Sequence, residues 1–213
     1  MKKITKISAN LITLFRIFLV FFMLPFLFIK SKNNPSDNQL RIYFVFIFLL
    51  ASLTDFLDGY IAKKFQQQTV FGKFFDPIAD KLLIIVSFFY IYILCENNKL
   101  LSENSSVLNI KNMVLSVLLI NIIRDFLIMG VRLMAFEQKT IITASFLGKL
   151  KTIFTFASIL FILLSQQIKN ITYLEEITLI YTMKIILIIN IFLVISSGAH
   201  YIIKNFKFIT KNF

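Results

Sequence analysis

The stretch TDFLDGYIAKKFQQQTVFGKFFDPIADKLL, residues 54–83, joins two long apolar runs through a short polar turn and carries four of the chain's six aspartates. Asp55 and Asp58 stand three residues apart and Asp76 and Asp80 four apart, so on helices each pair shares one face. Gly59 follows Asp58 directly, Ala62 lies four residues after it, and Gly72 lies four before Asp76. Small residues on both sides of the acidic pairs let another helix, or a bulky substrate, come close to the acidic face. The turn is short enough to make the flanking helices antiparallel neighbours. At 1.5 Å per residue this gathers the four carboxylates about 5–12 Å inside the cytoplasmic membrane interface. Four clustered carboxylates repel one another; one or two Mg2+ or Mn2+ ions, hard cations that prefer oxygen ligands, make them a coherent site.

The two runs belong to a chain of 213 residues that is 58% apolar and 16% charged, with a mean hydropathy of +0.81. Such values lie outside the range of a soluble domain and indicate an integral membrane protein. Lys and Arg number 23 against 11 acidic residues, a net charge of +12, yet the chain has no arginine-rich run and no tryptophan. The charge therefore points to lipid headgroups or anionic substrates, and no nucleic acid is expected as a partner. The single cysteine, Cys95, excludes an intramolecular disulfide, and the single histidine, His200, excludes a His-built zinc site. Glycine is scarce, with Gly59, Gly72, Gly130, Gly148 and Gly198 the only five, so each is expected to have a steric reason.

Six apolar spans follow from the charged and Asn/Ser-rich breaks, near residues 10–29, 41–62, 73–95, 112–134, 146–168 and 177–203. Each is long enough for a hydrocarbon core of about 30 Å. The start, MKKITKIS, turns apolar but is interrupted by Arg16 and followed by no small-x-small cleavage site, so it reads as a retained first span. Its amphipathic opening would lie along the membrane surface with Lys2, Lys3 and Lys6 toward headgroups. The expected fold class is all-α: one membrane domain, residues 1–213, an integral bundle of six transmembrane helices with a short N-terminal amphipathic segment. Six basic residues, Lys30, Lys32, Arg41, Lys99, Lys111 and Lys169, fall on one side of these spans and thirteen on the other. The richer side holds both termini and should be cytoplasmic.

Five aspartates, Asp55, Asp58, Asp76, Asp80 and Asp125, fall within or at the edges of spans. An ionised carboxylate near the bilayer centre costs about 2.5–3.5 kcal/mol on insertion scales, so each needs a countercharge or a water-filled cavity. A cation transporter would use such groups as an ion path. Its carboxylates usually lie near the midplane, often with broken helices, whereas these sit at one interface beside small residues and a basic rim. It stands as the alternative from another functional class.

The pattern Asp55-x-x-Asp58-Gly59-x-x-Ala62-Lys63, then eight residues, then Gly72-x-x-x-Asp76-x-x-x-Asp80 resembles the signature of the CDP-alcohol phosphatidyltransferases. Lys63 stands where the family normally has Arg; it keeps the charge but loses the planar fork, and Lys64 could share its role. The segments NLITLFRI, FGKFFDPIADKLL, IIRDFLIMGVRL and SFLGKLKT resemble the bacterial members that make phosphatidylglycerophosphate, although Asp125 stands where those more often carry Glu. The resemblance implies transfer of a phosphatidyl group from CDP-diacylglycerol to sn-glycerol 3-phosphate, with membrane lipid around the chain and a homodimer as the assembly. It implies that Asp55, Asp58, Asp76 and Asp80 hold two divalent ions, Mg2+ or Mn2+, that Asp80 is the general base, and that Gly59, Ala62, Lys63 and Gly72 adjoin the CDP-lipid. A cardiolipin synthase or an inositol-phosphate type would share the fold and differ in acceptor.

An acceptor that is itself a phosphate ester requires a basic pocket, for which Arg124, Arg132, Lys149 and Lys151 are the candidates. Arg124 is the most telling, because a lone guanidinium in an apolar run is expensive, and Asp125 beside it faces about 100° away around the helix. Asn10, Thr13 and Arg16 repeat every three residues on one face and are expected either to approach the nucleotide or, for Arg16, to snorkel to headgroups. Lys81 could shield the acidic cluster, and Pro77 is expected in the first turns of the third helix, where a missing N–H matters least.

Overall fold

The computed structural model describes residues 2–29, 35–65, 70–97, 105–137, 145–172 and 175–205, and side-chain surroundings for 12–29, 38–54, 75–96, 110–135, 145–172 and 175–205. The described elements are all α-helices: α1 Lys2–Met23, α2 Pro25–Phe28, α3 Pro35–Phe65, α4 Val70–Asn97, α5 Ser105–Glu137, α6 Phe146–Leu163, α7 Ser165–Thr172 and α8 Glu176–Lys204. Four are long and apolar enough to cross a membrane, over Phe75–Glu96, Ile110–Ala135, Phe146–Leu163 and Glu176–Lys204, and shorter apolar stretches cover Ile12–Phe28 and Asn38–Thr54. The chain is thus a multi-helix membrane protein.

Several boundaries differ from those the hydropathy suggested. The amphipathic opening is no separate element, because α1 runs unbroken from Lys2. The first apolar stretch breaks at Leu24, since Pro25 has no N–H and its ring would crowd the carbonyl one turn back; Pro25 opens the short α2 instead. Pro77 is not near a helix start: α4 begins at Val70, so the proline interrupts the backbone ladder two turns in. The fifth apolar run divides at Leu164 into α6 and α7, although backbone bonds from Leu164 to Leu160 and from Ile168 to Leu164, both 2.9 Å, carry the helical path through the junction.

The chain forms two compact units, Met1–Leu100 and Leu101–Phe213. In the first, α1 packs against both α3 and α4, which also touch each other. Phe44, Phe48 and Ala51 form one fully buried stripe of α3 at helical spacing, matched by Met23 of α1 and by Leu83, Phe88 and Ile91 of α4. Phe44 stacks on Tyr90 with ring centroids 3.9 Å apart and meets Phe26 edge-on at 5.9 Å. The outer faces carry Phe15, Phe18, Phe22 and Phe46, all exposed, an apolar exterior suited to lipid.

In the second unit α8 packs against both α5 and α6. Its interior is partly polar. Asn190 of α8 donates to the Ser158 hydroxyl of α6 at 2.7 Å, and its Oδ1 lies 3.4 Å from the Thr155 hydroxyl, all three residues buried. The two hydroxyls also donate to carbonyls of their own helix, Thr155 to Lys151 and Ser158 to Thr155. With apolar side chains on lipid and helix alike, such interhelical bonds and close packing, more than hydrophobic burial, hold α6 to α8. Replacing Asn190 with Leu should therefore destabilise the protein by about 0.5–1.5 kcal/mol, read from equilibrium unfolding in mixed detergent micelles. Unchanged or higher stability would remove this cluster from the account of how the two helices are joined.

Candidate active site

Among the described residues an acidic cluster lies in the first unit and a cationic one in the second. In the first unit Asp76 and Asp80 occupy successive turns of α4 and meet Thr13 and Arg16, which occupy successive turns of α1. The Thr13 hydroxyl donates to Asp76 Oδ1 at 2.8 Å. Arg16 Nη1 lies 3.4 Å from Asp80 Oδ1, donating to it as an ion pair. A spacing of three on one helix thus matches a spacing of four on its neighbour, and two side-chain contacts fix the register between them.

Burial makes the match necessary. The Arg16 side chain is 0% exposed, while Asp80 keeps 35% of its surface. Arg16 therefore does not snorkel to headgroups, one of the two fates considered for it; its charge is met inside the protein by Asp80. Thr13 is buried as well. The acids are the more open partners, so the pair presents carboxylate oxygen outward from a base of buried donors. Pro77 and Ala79 between them add no polar group of their own, and Ala79 is fully buried.

The donor set suits a hard divalent cation. It is oxygen only, it consists of carboxylates one helical turn apart, and the Thr13 hydroxyl engages only one of the lone-pair sites on Asp76 Oδ1. Among the described residues no group of three or more possible ligands assembles. The other expected ligands, Asp55 and Asp58, stand on the helical backbone of α3, and their side chains lie outside the described residues, as do those of Asn10, Gly59, Ala62, Lys63, Lys64 and Gly72.

The second unit holds the cationic cluster. Arg124 Nη1 donates to Asp125 Oδ1 at 2.8 Å, and Lys151 Nζ of α6 reaches the same oxygen at 3.4 Å. The side chains are 15%, 18% and 3% exposed, so among the described residues one carboxylate faces two largely buried cations. Asp125 is thus the partner of Arg124 despite its angular offset along the helix. It is also the bridge to Lys151, which spacing along one helix cannot reveal.

α6 enters this cluster by its first turn. Ser145 caps the helix, its hydroxyl accepting from Gly148 N at 3.1 Å. A helix start adds partial positive charge on the same side as Arg124 and Lys151. Lys149, next to Gly148, is exposed. Arg132 is not gathered here: two turns beyond Arg124, its Nε donates to the Tyr201 hydroxyl at 3.4 Å and its guanidinium lies 5.9 Å from the Tyr201 ring centroid. Of the four expected phosphate-binding residues, then, Arg124 and Lys151 share one carboxylate, Lys149 flanks them, and Arg132 stands apart on Tyr201.

Some contributors were not singled out beforehand. The pairing of Thr13 and Arg16 with Asp76 and Asp80 had a signal, two polar residues three apart in an otherwise apolar run. Gly198 of α8 and Tyr201 had none beyond glycine's scarcity, because their contacts depend on how α8 meets α5.

The chain is similar to known proteins over most of its length. The family model for CDP-alcohol phosphatidyltransferase matches residues 6–196. The CDP-diacylglycerol–glycerol-3-phosphate 3-phosphatidyltransferase of Rickettsia prowazekii is 33% identical over 199 residues, 93% of this chain and 95% of that protein. Its namesake from Bacillus subtilis is 32% identical over 148 residues, 69% of this chain and 68% of that protein. For the Mycoplasma genitalium protein of the same name the identity is 33% over 165 residues, 72% of this chain but only 63% of the longer relative. The acidic pair on α4 and the Arg124–Lys151 cluster both fall within the matched residues, and the chain belongs to the CDP-alcohol phosphatidyltransferase family.

Proposed function

We propose that this chain transfers the phosphatidyl group of CDP-diacylglycerol to sn-glycerol 3-phosphate, releasing CMP and forming phosphatidylglycerophosphate for phospholipid biosynthesis. The observation that carries the reading is the Arg124–Asp125–Lys151 cluster, in which two buried cations share a single carboxylate. Cations from two helices gathered at one place suit an anionic acceptor, and glycerol 3-phosphate is a phosphate monoester. The names of the similar proteins agree with this acceptor.

In the reaction the acceptor hydroxyl oxygen forms a bond to the diacylglycerol-linked phosphorus, the bond from that phosphorus to the CMP oxygen breaks, and CMP leaves with the electron pair. Asp80 takes the hydroxyl proton as attack proceeds, a role that suits a partly exposed carboxylate held in place by Arg16. Thr13 holds Asp76 in the matching position one turn away. Asp55, Asp58, Asp76 and Asp80 would together bind two divalent ions, Mg2+ or Mn2+, which when bound offset the diphosphate charge and stabilise departing CMP. Arg124 and Lys151 hold the acceptor phosphate; exposed Lys149 and Arg132 raise the positive potential that draws the dianion in. By the family signature Gly59, Ala62 and Gly72 would leave room for the CDP-lipid, and Lys63 would meet its phosphate or nucleotide. Orientation and preformed electrostatics supply most of the acceleration, as in other phosphoryl transfers.

The same reading includes six membrane spans in a plasma membrane, with both termini and the active site cytoplasmic, and a homodimer as the working assembly. Its support is the distribution of basic residues along the chain together with family membership.

Three experiments test it. Purified protein given CDP-diacylglycerol, Mg2+ and a panel of acceptors should release CMP with glycerol 3-phosphate and far less with phosphatidylglycerol, inositol phosphate or glycerol; release with none of them contradicts an enzyme of this kind. Asp80→Asn should lower turnover at least about 100-fold while membrane insertion is retained, and wild-type turnover in that variant would remove Asp80 from the chemistry. In a Cys95→Ser background, a membrane-impermeant maleimide added to intact cells should label Ser102→Cys and should label Lys139→Cys only after permeabilisation; the reverse pattern would invert the orientation.

A further inference from the structure

We infer that Gly198 of α8 is a positioning residue for phosphate recognition: its missing side chain seats Arg124 so that one edge of the guanidinium stays available to the acceptor. The inference rests on the reading of Arg124 as an acceptor-phosphate residue. It adds a residue on a third helix that no motif marks.

A Cβ built on Gly198 would lie 3.1 Å from Arg124 Cγ, closer than ordinary van der Waals contact, and among the described residues it would meet no other atom within 4 Å. Gly198 is buried within a regular helix, six residues before its last residue, so the lack of a side chain answers no need of backbone conformation. Among the described residues it answers Arg124. A second glycine flanks the far end of the same side chain: a Cβ on Gly148 would stand 3.3 Å from Arg124 Nη2 and 3.2 Å from Ser145 Oγ. Arg124 thus passes from α5 between two helix backbones, clearing Gly198 of α8 at its stem and Gly148 of α6 at its tip. Gly130 is the contrast. It lies on α5 itself, and a Cβ there would meet nothing within 4 Å.

The guanidinium is divided by its contacts. Nη1 is committed to Asp125 at 2.8 Å. On the other edge, Nε is buried and has no hydrogen-bond partner among the described residues. A buried donor of a charged group is expensive to leave unmet, and the Nε–Nη2 edge is the planar fork that takes two oxygens of a phosphate at once. Asp125 therefore fixes one side of Arg124, and the two glycines hold the stem and the tip so that the opposite side faces a ligand. A methyl group at 198 would push Cγ by a few tenths of an ångström, and the fork would turn with it.

The test is a steady-state comparison in detergent or nanodiscs. Gly198→Ala should raise the KM for glycerol 3-phosphate about tenfold or more, the loss of one charge-assisted hydrogen bond, while the KM for CDP-diacylglycerol and the thermal midpoint stay near wild type. Gly130→Ala should change none of these. In an Arg124→Ala background, Gly198→Ala should add nothing to the KM for glycerol 3-phosphate, because the two act through one side chain. Equal rises in both KM values, or a full tenfold increment in the Arg124→Ala background, would overturn the inference. If Gly198→Ala does not fold, Gly148→Ala carries the same expectation and decides. A selective effect of Arg124→Ala combined with an unselective one of Gly198→Ala overturns only the role of Gly198; an unchanged KM for glycerol 3-phosphate in Arg124→Ala overturns the underlying reading of Arg124 as well.

Discussion

An ionised side chain inside an apolar helix bundle has to find its countercharge within the protein, and in this chain that requirement fixes where helices meet. Arg16 has no exposed surface, and its guanidinium reaches Asp80 on another helix. Arg124 and Lys151 come from different helices and converge on one oxygen of Asp125. Apolar side chains pack against lipid and against each other almost equally well, so they specify register weakly. Charged and hydroxyl groups specify it strongly, since a one-turn slip would strand an ion in hydrocarbon. The residues that set the helix register are therefore also the ones with chemistry to offer.

The two clusters have opposite electrostatic character. On α4 the acids are the more open members and the buried partners, Thr13 and Arg16, stand behind them; the outward face is carboxylate oxygen. On α5 and α6 the balance is reversed, with one acid facing two cations among the described residues. On the proposed reading, carboxylate oxygen suits the divalent ions that would accompany a diphosphate, and fixed cations suit a dianionic acceptor.

Much of this was legible in the sequence, and what was not has a consistent cause. Helical character, membrane residence and the acidic pairs follow from apolar run length and from residues spaced three and four apart, because these are properties of single helices. Breaks at Pro25 and Leu164 were missed because hydropathy averages over them, and Pro77 was expected near a helix start because the apolar run begins later than the helix itself. Contacts between helices were the harder part. The i, i+1 offset of Arg124 and Asp125 argued against their pairing, yet the long arginine side chain bends back to reach its neighbour at 2.8 Å. Gly148 was visible as part of a motif; Gly198 was visible only as one of five glycines, since its reason lies on α5.

The central claim is that the chain transfers a phosphatidyl group to glycerol 3-phosphate, and it is tested most directly by following the acceptor's own phosphorus. Glycerol 3-phosphate labelled with radioactive phosphorus is incubated with the purified protein, CDP-diacylglycerol and Mg2+, and the label in chloroform-soluble lipid is counted beside the CMP released. The account predicts one labelled lipid for each CMP and no labelled lipid without CDP-diacylglycerol. CMP released without label entering lipid would contradict it, since the acceptor would then not be what the cationic cluster holds.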